Sequence, residues 1–328
     1  MSPIAFAVVS PRQGRYLLIT AFCSILVLTG AESAQGTAPS AEPGAPSIVS
    51  AETGEDEAAE GIPVVTLESG RTVLLFPSGD LYPQYAADPH RVGFGLQYLS
   101  FTKTRIAESG DSRVDLRAGG RFGIVRVQPQ DQPGRGWQLS IEGGFNAQFD
   151  IDYSLDNIGW DGKYGLLLTK AWDQDLSFKL GALHTSSHVG DEYEERTGRR
   201  RIGYTRHELA AGISRSIERR WRAYAEAGWG YRLSNENVQK PGRFQLGLEY
   251  EYAKSLWKGC AGWYAAVDVS SMEERDWRVD TSLQVGLMFR SGERIWRLGI
   301  ERYDGRPPIG EFFQDTESYI ALGLWLDV

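Results

Sequence analysis

The sequence predicts an all-β protein, an antiparallel transmembrane β-barrel of about 12 strands. Three observations predict this fold. Long segments of alternating apolar and polar residues follow one another beyond residue 91. Tryptophans stand near the ends of these segments, on the apolar side. After residue 34 no apolar run approaches the roughly 20 residues that a membrane-spanning helix needs.

The first residues have the composition of a targeting segment. Arg12 and Arg15 precede the apolar run 16–29, and small residues follow it, which predicts a signal peptide over residues 1–34. Residues 35–61 consist mainly of Ala, Pro, Ser, Glu and Gly. Such a composition buries too little apolar surface to fold, so we expect a disordered linker there.

Two further regions complete the predicted organisation. Residues 62–91 contain two short β-strand candidates, 62–67 and 73–76, separated from the alternating region by turn-forming residues. We expect this part to be a periplasmic N-terminal segment or a plug. Residues 92–328 are predicted to form the barrel.

The barrel strands are predicted from alternation with a period of two. In residues 243–252, aromatic and leucine side chains alternate with Arg, Gln, Gly and Glu. A run of this length matches the 9–11 tilted residues that cross a bilayer as a strand. The predicted strands are 92–102, 114–127, 137–149, 160–171, 175–185, 203–215, 220–233, 243–252, 261–271, 277–290, 294–303 and 318–328.

Connection lengths predict the orientation, since periplasmic turns of such barrels are short and external loops long. The short links 172–175, 216–219 and 291–293 all follow even-numbered strands. The long links 186–202 and 304–317 follow odd-numbered strands. We therefore expect both ends of the barrel to lie on the periplasmic side of the cell outer membrane.

The polar face of the predicted strands carries charges of both signs, which favours a filled or narrow lumen. The predicted inward residues are Arg117, Arg121, Glu142, Lys163, Lys179, Arg222, Glu226, Arg232, Arg243, Glu249, Asp268, Arg278, Asp280, Arg297 and Glu301. The formal net charge of −8 argues against nucleic acid as a partner. We expect a monomer surrounded by outer-membrane lipids. No phosphate-binding glycine motif is present, and no cofactor is expected.

A cluster of histidines is the main candidate for chemistry. Of the 4 histidines in the chain, His184 and His188 lie in one run and His207 begins the next strand. Alternation places His184 and Ser186 on the same lipid-facing side. A histidine beside a serine can activate a hydroxyl nucleophile. Ser186 would then be the nucleophile and His184 the general base, with His207 nearby on the adjoining strand.

Three interpretations of this run stay open. For the catalytic one, Glu208 and Asp191 are the candidates to orient the imidazole. In the second, the polar side chains of the run only fasten the base of a loop. In the third, His184, His188, Asp191 and Glu192 bind a metal ion.

Two resemblances accompany these residues. The pair His184-x-Ser186 resembles that of outer-membrane phospholipase A and of the lipid A deacylase barrels, which implies acyl-ester hydrolysis. The runs Ala87-Asp-Pro-x-Arg91 and His184-x-Ser-Ser-His-x-Gly-Asp-Glu-Tyr193 are similar to an uncharacterised bacterial outer-membrane family known only as a domain of unknown function. That resemblance covers residues 75–328 and implies a barrel without an assigned activity. The sequence thus favours a structural or binding barrel; the alternatives are an outer-leaflet lipid hydrolase and a narrow solute channel.

Overall fold

The computed structural model describes residues 64–67, 70–257, 261–291 and 294–327. The expected signal peptide, residues 1–34, and the expected linker, residues 35–61, lie outside the described residues. Within the described ranges, no helix is long and apolar enough to cross a membrane.

The prediction of a closed antiparallel barrel of 12 strands is confirmed. Each strand pairs with its neighbour in sequence, and the last strand pairs with the first, so the ring has no free edge. The strands are β3 (Phe94–Thr104), β4 (Ser112–Pro129), β5 (Gly136–Asp150), β6 (Asp156–Ala171), β7 (Leu176–Val189), β8 (Thr205–Ile217), β9 (Trp221–Leu233), β10 (Gly242–Leu256), β11 (Ala261–Met272), β12 (Val279–Ser291), β13 (Arg294–Gly305) and β14 (Glu317–Asp327).

Two shorter strands precede the ring. β1 (Val64–Leu67) and β2 (Arg71–Leu75) form a hairpin, and β2 pairs with residues 125–129 at the end of β4. β3 pairs only with residues 112–117 of β4, so the long β4 has different partners at its two ends. Between β2 and β3, the chain leaves the barrel wall.

Burial follows the alternation of the sequence. On β10, Phe244 and Leu246 are 57% and 55% exposed, whereas Gln245 and Glu249 are 6% and 5% exposed. The outer face is therefore apolar and the inner face polar, as a transmembrane barrel requires. The tryptophans on this outer face near strand ends are exposed: Trp137, Trp221, Trp229, Trp263, Trp277 and Trp296.

Two predicted inward side chains are instead exposed. A bulge between β8 and β9 pairs His207 with Arg232 and Glu208 with Gly230, which turns Arg232 to the outer face. Arg278 lies in the turn before β12 begins and is exposed there. The other predicted inward residues are buried or half-buried.

The barrel has a turn end, with the short connections 172–175 and 218–220, and a loop end, with the connections 190–204 and 306–316. β7 continues to Val189, four residues beyond its predicted end, because β6 begins early enough to pair with it there. A short helix, α1 (Asp191–Thr197), follows β7. At the loop end, Tyr193, Ile309 and Phe312 of these connections form a buried apolar cluster with Ile158 of β6.

Candidate functional site

The first candidate site is the stretch between β2 and β3, residues 77–93, which we call the lumen segment. Phe76 has a positive φ of 53°, and this left-handed residue turns the chain away from the wall. The following Pro77 passes directly over Gly123 of β4, where a Cβ atom would lie 2.8 Å from the proline ring. Glycine at this position therefore lets the chain pass from the wall into the barrel.

Two tyrosines fix the lumen segment to β9. Tyr85 stacks on Tyr224 with ring centroids 3.7 Å apart, and its hydroxyl donates to Glu226 at 2.8 Å. The hydroxyls of Tyr82 and Tyr85 are 2.7 Å apart, and both side chains are buried. Burial, together with the charge of Glu226, raises the pKa of Tyr85, so the phenol stays protonated and serves as a donor.

The rest of the segment is bonded to other strands of the wall. The bonds run from the Ala86 N–H to Glu249 at 2.7 Å, from Lys163 Nζ to the His90 carbonyl at 2.9 Å, and from Arg91 Nη1 to Asp327 at 2.6 Å. These partners lie on β10, β6 and β14, at different positions around the ring. The lumen segment is therefore held across the barrel rather than against one side of it.

Cavities lie on both sides of the segment. One, of about 150 Å³, lies between Tyr85 and His90 on one side and Tyr204 and Arg306 on the other, toward the loop end. A second, of about 300 Å³, is lined by Gln84 together with side chains of the turn end. The lumen segment separates the two spaces.

At the loop end, a buried glutamate joins two loops. The Glu311 carboxylate accepts the backbone N–H groups of residues 202, 203 and 204 at 2.7–2.9 Å, and it is 1% exposed. The Glu311 N–H donates to Ser187 at 2.8 Å, and the Gly310 N–H donates to Asp161 at 3.0 Å. One loop thus fastens a second loop and the inner wall in the same place.

The second candidate site is the histidine cluster on the outer face. β7 and β8 pair His184 directly with His207, and their Nδ1 atoms are 3.4 Å apart. His184 stacks on Tyr164 at 4.4 Å, and His207 lies 5.9 Å from the Tyr231 ring. Ser186 shares the outer face with His184, as alternation predicts. Among the hydrogen bonds of the described residues, none joins Ser186 to either imidazole.

The remaining candidate residues lie elsewhere. Glu208 lies on the inner face of β8, ion-paired to Arg206 and Arg243 at 2.6 Å each, and so contacts neither imidazole. Asp191 begins α1 and pairs with Arg201 in solvent. His188 stacks on Trp160 at 4.2 Å.

Asp191 and His188 therefore contact different partners, Arg201 and Trp160, and do not form a joint site. Over the described ranges, no group of three or more His, Cys, Asp or Glu side chains is arranged to hold a metal ion.

Sequence reasoning missed Tyr85 and Glu311. Tyr82 and Tyr85 gave one usable signal, because two tyrosines are unexpected in a turn-rich segment whose neighbours are Pro, Gly and Asp. Glu311 gave no such signal, since one acid between a glycine and a phenylalanine in a loop has no local pattern.

Solved structures share the fold. Outer membrane phospholipase A from Escherichia coli superimposes with a TM-score of 0.50 at 11% identity, covering 72% of this chain and 92% of that chain. The Salmonella typhi outer membrane phospholipase dimer with bound calcium gives 0.50 at 12% identity, covering 75% and 95%. At such identity the likeness concerns the fold alone.

Sequence comparison gives a more specific result. A family model described as "Protein of unknown function (DUF1207)" matches residues 10–327. Among curated proteins, none matches the chain.

Proposed function

The chain belongs to this family of unknown function, DUF1207, and on that premise we propose that it is an outer-membrane barrel with a closed lumen, serving a structural or binding role. The fold shared with outer membrane phospholipases supports the location. The lumen segment supports the closed state, and it is the observation that carries the proposal.

The bonds of the lumen segment argue against a simple pore. A solute crossing the barrel would have to displace Tyr85 from its stack on Tyr224 and break contacts to several strands. Hydrogen bonds to charged groups contribute about 1.5–3 kcal/mol each, so removal of the whole segment is costly. At the loop end, the bonds of Glu311 add a second barrier.

Planar-bilayer recording tests the closed state. The intact protein is expected to show no persistent conductance, whereas deletion of residues 78–92 is expected to give a steady open pore. The tyrosine variant Tyr98→Phe, altered on the outer face, serves as a control for purification and insertion. Steady conductance of the intact protein, equal to that of the deletion variant, would refute the proposal.

A second candidate function is hydrolysis of outer-leaflet lipid acyl esters. It is supported by the placement of His184, His207 and Ser186 on one outward face near the loop end. For this function, Ser186 must move to within about 3 Å of an imidazole nitrogen when substrate binds.

Acyl-ester release from phospholipid or lipid A vesicles tests the hydrolase. Ser186→Ala is expected to abolish the release and Ser112→Ala, another outward serine, to leave it unchanged. Wild-type protein that releases no fatty acid from either lipid would eliminate this candidate.

A further inference from the structure

We propose that His184 and His207 form a binding site for a divalent transition-metal ion on the outer wall of the barrel. The two residues are direct cross-strand partners on β7 and β8. Their rings are 4.5 Å apart with an interplanar angle of 63°, and their Nδ1 atoms approach each other to 3.4 Å. The site is independent of the lumen segment and of the closed state.

The separation of the nitrogens is that of two metal ligands. In a tetrahedral site with metal–nitrogen bonds of about 2.0–2.1 Å, two imidazole nitrogens lie about 3.3–3.4 Å apart. His184 and His207 already have this spacing. A metal ion could therefore bind both lone pairs with little movement of either strand.

Neighbouring aromatic side chains hold the two imidazole rings in place without forming hydrogen bonds to their nitrogens. Tyr164 stacks on His184, and Tyr231 packs at an angle against His207. Within the described residues, no carboxylate is hydrogen-bonded to either imidazole, so the aromatic contacts take the orienting role that a carboxylate or a carbonyl usually has beside a metal-bound histidine. In the absence of metal, the two rings have only one hydrogen bond between them, and that bond uses one nitrogen as donor and the other as acceptor.

The chemistry of the ligands selects the ion. Imidazole suits Zn²⁺, Cu²⁺ and Ni²⁺, whereas Mg²⁺ and Ca²⁺ prefer oxygen ligands. Two protein ligands leave coordination positions for water or for a lipid oxygen. Tyr164 and Trp229 nearby are each 60% exposed on the outer face, which is typical of the membrane–water interface, where aqueous ions have access.

Two neighbours provide controls. His188 lies on the same face of β7, but it stacks on Trp160 and faces no second imidazole. Arg232 is exposed and is the cross-strand partner of His207 on β9, so its charge opposes a bound cation. Because the ion carries two charges, neutralisation of Arg232 should raise metal affinity by about five- to tenfold at separations of roughly 6–8 Å in a water-like dielectric.

Titration of the refolded barrel with Cu²⁺ or Zn²⁺ tests the site. The protein carries no affinity tag and has Cys23→Ser and Cys260→Ser as its background, so that neither a tag nor a thiol binds metal. One equivalent is expected to bind. His184→Ala and His207→Ala are each expected to lower affinity about tenfold or more, since loss of a ligand costs at least as much as loss of a residue that orients one.

The controls decide the interpretation. His188→Ala should bind as the parent does, and Arg232→Gln should bind more tightly. Nitrogen couplings in the Cu²⁺ electron paramagnetic resonance spectrum should fall from two imidazoles to one in His184→Ala. The variant must still fold, which is checked by a shift in its gel migration on boiling, as is typical of folded barrels. If it does not fold, His184→Gln replaces it. Unchanged affinity in both His184 and His207 variants, or no binding by the parent at millimolar metal, would overturn the proposal.

Discussion

The hydroxyl of Tyr85 offers a measure of how firmly the lumen segment is held. Tyr85→Phe keeps the ring that stacks on Tyr224 and removes the hydrogen bond of 2.8 Å to Glu226. It also takes away the partner of the Tyr82 hydroxyl. A hydrogen bond to a charged acceptor contributes about 1.5–3 kcal/mol. Since 1.4 kcal/mol is a factor of ten, the ratio of open to closed barrels should rise about tenfold to a hundredfold.

Single-channel recording in planar bilayers measures this ratio as the fraction of time spent open. A urea series extends the range, because denaturant raises the open fraction of both proteins. The matched control is Tyr98→Phe, which removes a hydroxyl that meets Ser112 on the outer face. Equal open fractions for Tyr85→Phe and Tyr98→Phe at every urea concentration would refute the reasoning that this bond holds the segment.

Three further predictions concern stability. Arg113→Met should lower the free energy of unfolding by about 3–5 kcal/mol in urea titrations, because Glu317 stays buried without its ion-pair partner. Arg201→Met, in an exposed pair, should lower it by less than about 1 kcal/mol, and equal losses would contradict this. Glu311→Ala should speed tryptic cleavage of the neighbouring arginine-rich loop, since three backbone N–H groups lose their acceptor; unchanged cleavage contradicts it. Burial, and then nearby cationic side chains, lower the pKa of His90 well below 6.5. Below about pH 6.5, the unfolded chain therefore binds a proton that the folded protein excludes, so the free energy of unfolding falls as the pH drops below 6.5. His90→Gln should make this pH dependence of the free energy of unfolding shallower.

The strands could be predicted because their physical cause is local. Each residue of a barrel strand faces either lipid or the lumen, so the sequence of β10 already alternates between the two. The same alternation placed His184 and Ser186 on one face. Where a bulge interrupts the alternation, as beside Arg232, the prediction of the facing side chain fails.

The path of the lumen segment could not be predicted, because its contacts are distant in sequence. Tyr85 and Glu226 are 141 positions apart, and Ala86 and Glu249 are 163 apart. The segment has no period that would indicate which side chains face the wall. The distance between the two imidazoles likewise depends on the register of β7 against β8, which parity alone does not fix.

Thiol labelling at position 87 tests the placement of the lumen segment most directly. Ala87 is 0% exposed, whereas Gln174, in a short connection at the turn end of the barrel, is exposed. Single cysteines at these positions, in a background with Cys23→Ser and Cys260→Ser, are treated with a maleimide in the folded and the heat-unfolded protein. Ala87→Cys should stay unlabelled until the barrel unfolds, while Gln174→Cys should react at once. Equal labelling of both positions in the folded protein would contradict a segment held inside the barrel.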